Sequence, residues 1–274
     1  MQNKKKILPE IYNFLRPKQT KNLVRFGINR DGGYIIESVI INKIDHLVSF
    51  GMADEFSFEI DFLNDKKINT LQIYDHAVNH KNYLSNILKI FRRVITFRKS
   101  IKQLNIEILK YLNFLKFINN KRVNFYPLKI TNEIKNKKEI DLNGVFSKID
   151  KSINDIAIKI DIEGDEYDIM DEIIKYSKKI NILIIEFHNI DKKNMIFLNF
   201  MSELVEIFDI IHIHGNNHNF IQSDGFPNVI EITLVNKKNN LDYVNYPTSF
   251  PIKGLDFPNN PLLSDIEINF SENY

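Results

Sequence analysis

IAIKIDIEGDEYDIM, residues 156–170, is the stretch of sequence that decides the fold. Four of its first six residues are apolar and three of these are isoleucines, a composition that is typical of a strand covered on both faces. Because side chains alternate along a strand, Lys159 and Asp161 lie on the same face, with Asp161 at the carboxyl end. Ligands of doubly wound α/β sheets bind at that end, so the stretch indicates both a fold and the position of its site.

A tight acidic turn follows this strand. Glu163, Gly164 and Glu166 lead from Asp161 into a helix-like segment. So many charges beside a buried strand are unfavourable unless they are paired or contact a ligand. Two interpretations stay open: a ligand site at the strand end, or a structural ion pair between Lys159 and a nearby carboxylate.

Similar apolar or β-branched runs recur along the chain and alternate with helix-like segments. The alternation predicts an α/β fold with a Rossmann-like, doubly wound, mostly parallel sheet of seven strands. It lapses only before the last strand, where residues 215–227 are polar and predict a loop. The other strands are predicted at residues 46–50, 70–75, 123–127, 180–187, 208–214 and 229–235, and two helices at 167–176 and 193–207.

Residues 80–122 form an insertion after the second strand, and its apolar spacing predicts a pair of helices. A basic cluster between the helices predicts a solvated helix face. The alternatives are a lid or a diphosphate clamp, or a helical pair that packs against another subunit in a homo-oligomer. The apolar sets are Leu84, Ile87, Leu88, Phe91 and Leu104, Ile108, Leu112, Leu115, and the basic cluster is Arg92, Arg93, Arg98, Lys99 and Lys102.

A single domain is predicted over residues 1–274, because no linker divides the chain. Residues 1–18 predict a short helix with a basic end, without the cleavage site of a signal peptide. Residues 246–274, rich in Pro and Asn, predict an irregular tail with an edge strand at 266–270. No apolar run reaches the roughly 18 residues of a membrane span. We therefore expect a cytoplasmic protein with no membrane span.

The composition excludes several classes of function. Lys and Arg total 37 against 35 Asp and Glu, a net charge of +2, so the totals require neither a nucleic acid nor an anionic membrane as partner. Cysteine is absent, which excludes a disulfide scaffold, cysteine metal sites and thiolate nucleophiles.

The ends of the first two strands have features of a nucleoside site. Gly51 and Ala53 follow the first strand, and small residues there let a backbone approach a ligand closely. The turn is neither GxGxxG nor a P-loop, and Asp54 and Glu55 after it disfavour a phosphate. Asp75 after the second strand suits ribose hydroxyls or, alternatively, a helix N-cap.

Histidines cluster at the ends of later strands. His188 follows Glu186, and His212 and His214 alternate so that both face the same way. With Asp161 and Glu186, His188 and His214 could bind a divalent metal. They could equally supply a general base for a hydroxyl, which we favour because no helical HxxxH spacing fixes a metal site.

The segment KIDIEGDE, residues 159–166, resembles the hallmark of the FkbM-type S-adenosylmethionine-dependent methyltransferases. The resemblance covers most of residues 25–270 apart from the insertion. Its other parts are RFGINRDGGYII (25–36), SFGMADEFSFE (49–59), IIEFH (184–188), IHIHGNNHN (211–219), PNVIEITLVN (227–236) and LDFPNNP (255–261).

The resemblance implies a methyltransferase that binds its methyl donor at the ends of the first two strands. The common family form has a more Gly-rich first turn with an Asn beside it, where this chain has Met52 and Ala53. The residues implied near the donor are Phe50, Gly51, Met52 and Ala53 for the methionine part, Asp75 and His76 for the ribose, and Asp31, Gly32, Gly33, Tyr34 and Asp161.

The function predicted from sequence is O-methylation of a sugar hydroxyl, free or nucleotide-linked, in surface polysaccharide biosynthesis. The alternatives are an NAD-dependent oxidoreductase, which usually needs a Gly-rich first turn, and a non-catalytic interaction protein. The predicted catalytic residues are Asp161, His188, His214 and Lys159, and the predicted substrate-binding residues are Glu163, Glu186, Asn216 and Asn217.

Overall fold

The computed structural model describes residues 6–64 and 68–272. The strands are β1 Leu23–Phe26, β2 Tyr34–Glu37, β3 His46–Phe50, β4 Thr70–Tyr74, β5 Val123–Tyr126, β6 Lys129–Ile130, β7 Glu139–Ile140, β8 Ile156–Ile160, β9 Ile180–Phe187, β10 Phe208–Gly215, β11 Ile230–Asn236, β12 Ser249–Phe250 and β13 Ile268–Asn269. The α-helices are α1 Ser38–Ile41, α2 Ser57–Asn64, α3 His80–Ile95, α4 Ile101–Ile118, α5 Leu142–Ser147, α6 Met170–Tyr176 and α7 Ile190–Ile207. Short 3-10 helices lie at Glu10–Leu15, Glu166–Ile169, Ser177–Lys179 and Lys237–Asn239.

Seven strands form the central sheet in the order β10–β11–β9–β8–β3–β4–β5. All are parallel except β11, which is antiparallel to both of its neighbours. The Rossmann-like, doubly wound, mostly parallel sheet of seven strands is therefore confirmed. From β3 the chain moves outward to β4 and β5, and it then returns to the other side of β3 as β8. The order in which the chain adds strands to the sheet thus reverses between β3 and β8, and such folds have their ligand crevice at this point.

The strands are buried because both faces of the sheet are covered. Every residue of β3, β8, β9, β10 and β11 is buried. Along β8, Ile158 and Ile160 belong to one apolar core, which includes Phe197 and Met201 of α7. Ala157 belongs to the core on the other face, with Phe58 and Phe62 of α2. Lys159 shares the second face, so its ammonium group is enclosed beside α2.

The insertion forms the expected pair of helices, α3 and α4, joined by residues 96–100. Its inner side docks through aromatic contacts at the base of the hairpin. The Phe114 ring stacks on Tyr83 with centroids 4.8 Å apart and meets Phe125 edge-on at 5.6 Å. All five residues of the basic cluster are exposed, as expected for a solvated face.

The loop and the tail also agree in outline with the expectation. Between β10 and β11 the chain forms a loop with a single bridge between Ile221 and Pro227. The tail is largely irregular, but the predicted edge strand pairs with β12 and not with the central sheet. Residues 1–5, with most of the basic N-terminal end, and residues 273–274 lie outside the described part. Within the described part no helix has the length and apolar character to cross a bilayer.

We predict that Phe114 carries the docking of the insertion. Phe114→Ala should lower the free energy of unfolding by about 3–5 kcal/mol, because it leaves a cavity among fixed rings. Leu112→Ala on the same helix, whose side chain is 53% exposed, should change it by less than about 0.5 kcal/mol. Urea unfolding followed by circular dichroism measures both, and equal losses would contradict the docking role.

Candidate functional site

The candidate site consists of two adjoining cavities at the carboxyl ends of the strands around the β3–β8 crevice. Both cavities are lined by Asp161 and Glu163, which form the wall between them. The first, of about 210 Å³, is lined by Gly51, Ala53, Tyr74, Asp75, His76, Ala77, Leu128, Lys129, Ile130, Asp161, Ile162, Glu163 and Asp165. The second, of about 250 Å³, is lined by Asp31, Asp161, Glu163, Glu186, His188, Asn216, His218, Asn219 and Val229.

The turn after β3 approaches the end of β8 very closely. A Cβ atom on Gly51 would lie only 1.7 Å from the backbone oxygen of Asp161, so glycine is required there. Gly51 has a φ of 76° and Ala53 a φ of 52°, and both lie in the left-handed region. This turn forms one wall of the first cavity, as the sequence predicted for Gly51 and Ala53.

Asp75 organises this turn. Its Oδ2 accepts hydrogen bonds from the backbone N–H groups of Met52 and Ala53, at 3.0 and 2.9 Å. Its Oδ1 accepts from the N–H groups of Ala77 and Val78. These four bonds fill the acceptor positions of the carboxylate, which leaves none for a ribose in this arrangement. Asn79 caps α3, so the alternative N-cap role for Asp75 is also wrong.

Lys159 is buried, and its ammonium group joins three parts of the site. Nζ donates to the Gly51 carbonyl oxygen at 2.7 Å and lies 3.6 Å from Glu59 Oε1 and 3.8 Å from Asp161 Oδ2. Burial alone would lower the pKa of Lys159, but attraction to Glu59 and Asp161 outweighs it and raises the pKa above its usual range. Lys159 is not among the described residues that line either cavity. A permanently charged, enclosed lysine fits the structural ion pair better than the predicted catalytic role.

Glu186 lies in the second cavity in an environment that disfavours its charge. Its Oε1 accepts from Asn216 Nδ2 at 2.7 Å, and the Tyr34 hydroxyl lies 3.4 Å from Oε2. The same hydroxyl donates to Asp161 Oδ2 at 3.0 Å. Burial, with repulsion from Asp161, raises the pKa of Glu186 well above its ordinary value. Both Glu186 and Asn216 line the second cavity, and their role in binding a substrate stays a prediction.

His188 presents one ring nitrogen to the second cavity. Its Nδ1 is hydrogen-bonded to Glu166 Oε1, which holds the ring in place. Its Nε2 lies 3.6 Å from Glu163 Oε2 and 3.8 Å from Glu186 Oε1. Burial lowers the pKa of His188, but the bond to Glu166 more than offsets this, so the pKa is raised. The arrangement of a carboxylate that orients an imidazole is the pattern of a general base.

His214 is placed elsewhere, and its predicted roles as base or metal ligand are wrong. Its Nδ1 pairs with Glu231 Oε2 at 3.3 Å and its Nε2 with Asp265 Oδ1 at 3.0 Å. Burial opposes the charge, but these two bonds raise the pKa of His214 to about 10. The ring is therefore a cation with both nitrogens occupied. His212, which faces the same way as expected, pairs with Asp256 of the tail at 2.9 Å.

Most of the other predicted residues line neither cavity. Asn217 donates to backbone oxygens of Asn260, Leu263 and Ser264, so it fixes the tail and does not face a ligand. Asp31 lines the second cavity, not the first. Gly32, Gly33, Tyr34, Phe50 and Met52 are not among the described residues that line the first cavity.

The predicted metal set is reduced to three residues. Ligand atoms of Asp161, Glu186 and His188 lie within 4.8 Å of one another. One nitrogen and two carboxylates suit several divalent ions, so both the base and the metal hypothesis remain for this cluster.

Sequence reasoning missed Glu59 as the partner of Lys159. The signal was available, because Glu59 stands between Phe58 and Phe62 on the apolar face of a helix.

The chain matches no known family model and no curated protein sequence. Its fold is similar to that of solved structures. An rRNA methylase from Streptococcus thermophilus is similar at 8% identity and a TM-score of 0.40, over 72% of this chain and 92% of that one. A protein from Streptococcus pneumoniae described as a candidate tRNA (m1A22) methyltransferase, solved with S-adenosyl-L-methionine, gives 11% identity and a TM-score of 0.34 over 77% and 76%. Precorrin-6y C5,15-methyltransferase from Geobacter metallireducens is similar at 9% identity and a TM-score of 0.35, over 72% of this chain and 85% of that one. Because these identities and TM-scores are so low, we assign no functional role to a residue of this chain from these structures.

We predict that Lys159 is essential to stability. Lys159→Met should lower the free energy of unfolding by about 3–5 kcal/mol, because Glu59 is left charged and buried. Adding Glu59→Leu should recover part of that loss. Lys110→Met, which breaks an exposed pair with Asp54, should cost at most about 1 kcal/mol in the same urea titration. A Lys159→Met loss no larger than that of Lys110→Met would refute the role.

Proposed function

We propose that the chain is an S-adenosylmethionine-dependent O-methyltransferase, with the methyl donor in the first cavity and a hydroxyl acceptor in the second. The observation that carries the proposal is the shared wall of Asp161 and Glu163 between the two cavities. Group transfer requires two ligands whose reacting atoms meet in line at a short distance. Two cavities that adjoin at the crevice of a doubly wound sheet supply that arrangement.

The charge of the first cavity favours this donor over a dinucleotide. Its lining includes the carboxylates of Asp75, Asp161, Glu163 and Asp165, and its one lysine, Lys129, is paired with Asp165 at 2.6 Å. Carboxylates attract the sulfonium and ammonium groups of S-adenosylmethionine and repel a pyrophosphate. The remaining lining includes the side chains of Tyr74, Leu128, Ile130 and Ile162, which suit an adenine ring. A nicotinamide dinucleotide is therefore disfavoured.

The second cavity supports a neutral polyhydroxyl acceptor. Asp31, Glu186 and Asn216 offer acceptors and an amide donor of the kind that sugar hydroxyls bind. Asp31, Asp161 and Glu163 in the same lining repel phosphates, which disfavours a nucleic acid. The resemblance of residues 159–166 to FkbM-type enzymes adds membership of that family to the proposal, with a cytoplasmic step of surface polysaccharide biosynthesis as the setting.

A diphosphate clamp is not part of the proposal. The basic cluster lies around the far end of α3, and a helix of 16 residues spans about 24 Å. The sugar therefore binds through the second cavity, whether or not a nucleotide is attached.

His188 is the base in the proposed reaction. The donor supplies an electrophilic methyl group on a positively charged sulfur. Glu166 holds the imidazole so that Nε2 accepts the proton of the substrate hydroxyl. The hydroxyl oxygen then forms a bond to the methyl carbon while the carbon–sulfur bond breaks and its electron pair passes to sulfur. The products are a methyl ether, a neutral thioether and a protonated His188, which releases its proton to solvent.

The donor assignment predicts selective binding that calorimetry measures directly. S-adenosylmethionine and S-adenosylhomocysteine should bind, and NAD should not. Ala77→Trp, which fills the first cavity, should weaken both by at least about tenfold, or about 1.4 kcal/mol. Ser202→Trp on the exposed side of α7 is the matched control and should bind as the wild type does. Asp161→Asn should weaken the cationic S-adenosylmethionine more than the neutral S-adenosylhomocysteine. Binding of NAD alone would reject the assignment.

The base assignment predicts a pH profile and no response to chelators. Activity towards a panel of sugars should fall as the pH drops through the raised pKa of His188, where Nε2 becomes protonated. Glu166→Gln removes the carboxylate that raises this pKa, so the acidic limb should move to lower pH. Glu163→Gln, at a side chain that is 88% exposed, should move it much less. Loss of activity in EDTA, restored by a divalent ion, would show that the cluster holds a metal instead.

A further inference from the structure

Helix α3 carries an apolar stripe that faces solvent. Leu84, Leu88, Phe91 and Ile95 have exposures of 47%, 55%, 48% and 59%. Their spacing of four, three and four residues places them on one side of the helix. The inward side of the same helix is a different one, because Tyr83 is buried against Phe114. The hairpin is therefore docked on one side and leaves a second apolar side uncovered.

The tip of the hairpin continues this apolar surface. Phe97, in the connection between α3 and α4, is 97% exposed, and Ile101 at the start of α4 is 68% exposed. Leu109 and Leu112 farther along α4 are also more than half exposed. Exposed large apolar side chains are ordinary when they are scattered singly, but a cluster of this size marks an interaction surface.

The charge around the stripe has one sign. Residues 76–106 contain seven Lys and Arg and no Asp or Glu, whereas the whole chain has a net charge of only +2. The balanced total thus conceals a local charge of +7. The seven residues are Lys81, Lys89, Arg92, Arg93, Arg98, Lys99 and Lys102.

We propose that the α3–α4 hairpin binds an anionic phospholipid surface. An amphipathic helix with Lys and Arg beside an apolar stripe lies in the plane of the interface, with its apolar side at the acyl boundary. The basic side chains then contact the phosphate groups of anionic lipids. A shallow depression of about 420 Å³ on α3 combines both features, since Leu84 and Leu88 line it together with Lys81, Lys89 and Arg92.

Charge complementarity favours an anionic bilayer over a second copy of the chain, and the apolar stripe favours it over a nucleic acid. A second copy of the chain would bring one +7 surface against another, which like-charge repulsion opposes. A nucleic acid would satisfy the basic residues but leave the leucines and Phe97 in water. An anionic bilayer satisfies both at once. The hairpin lies on the membrane and does not cross it, in agreement with the lack of a spanning helix among the described residues.

Vesicle flotation with the full chain tests the proposal, and it needs neither methyl donor nor acceptor. The wild type should float with vesicles of phosphatidylcholine and phosphatidylglycerol and not with phosphatidylcholine alone, and high salt should weaken the binding. Leu88→Gln with Phe91→Gln and Phe97→Asn should reduce the partition coefficient at least tenfold. Arg92→Gln with Arg93→Gln and Arg98→Gln should do the same.

A matched control separates this surface from exposed apolar residues in general. Met195→Gln with Ile196→Gln changes two residues of α7 that are 66% and 54% exposed, and it should leave flotation unchanged. Urea unfolding verifies that each variant is folded. Failure of the wild type to bind anionic vesicles would overturn the proposal, as would an equal loss in the control. A wild-type dimer that the stripe variant dissociates, without vesicle binding, would assign the surface to a second copy instead.

Discussion

One buried ammonium group holds together the carboxyl ends of the central strands, on which the site depends. Lys159 bonds to the carbonyl oxygen of Gly51 and faces the carboxylates of Glu59 and Asp161. It therefore joins the turn after β3, the helix that follows, and the end of β8. An isolated charge in this position would be strongly unfavourable, so these elements must assemble together. The wall between the two cavities has a fixed position because Asp161 is one of the groups that neutralise this lysine.

Local sequence patterns were sufficient for the sheet and its crevice. Each central strand is an apolar run whose two faces are covered, and such runs are visible without knowledge of their neighbours. The expected strands at residues 46–50 and 180–187 coincide with β3 and β9, and the others differ by one residue at one or both ends. The end of β8 could be located as the site for the same reason, because Asp161 and Glu163 are adjacent to the strand in sequence.

Contacts between distant residues were not predictable in this way. His214 has its partner Asp265 in the tail, 51 residues later, and no periodicity relates the two. Asp75 was expected to face a ligand, but it is bonded to the backbone of Met52 and Ala53, whose N–H groups no pattern of side chains reveals. The pattern of charges identified where polar chemistry occurs, whereas the pairing within it depends on how the tail and turns return to the sheet.

The tail has a consequence for how the protein is made. It pairs with His212 through Asp256 and with His214 through Asp265, and Asn259 donates to Asp31 at the rim of the second cavity. Synthesis proceeds from the N-terminus, so the seven strands leave the ribosome before these partners exist. Until then His212 lacks Asp256, and His214 has Glu231 but not its second carboxylate partner, Asp265. The nascent sheet therefore carries incomplete buried ion pairs, which residues 256–265 complete after all seven strands have left the ribosome.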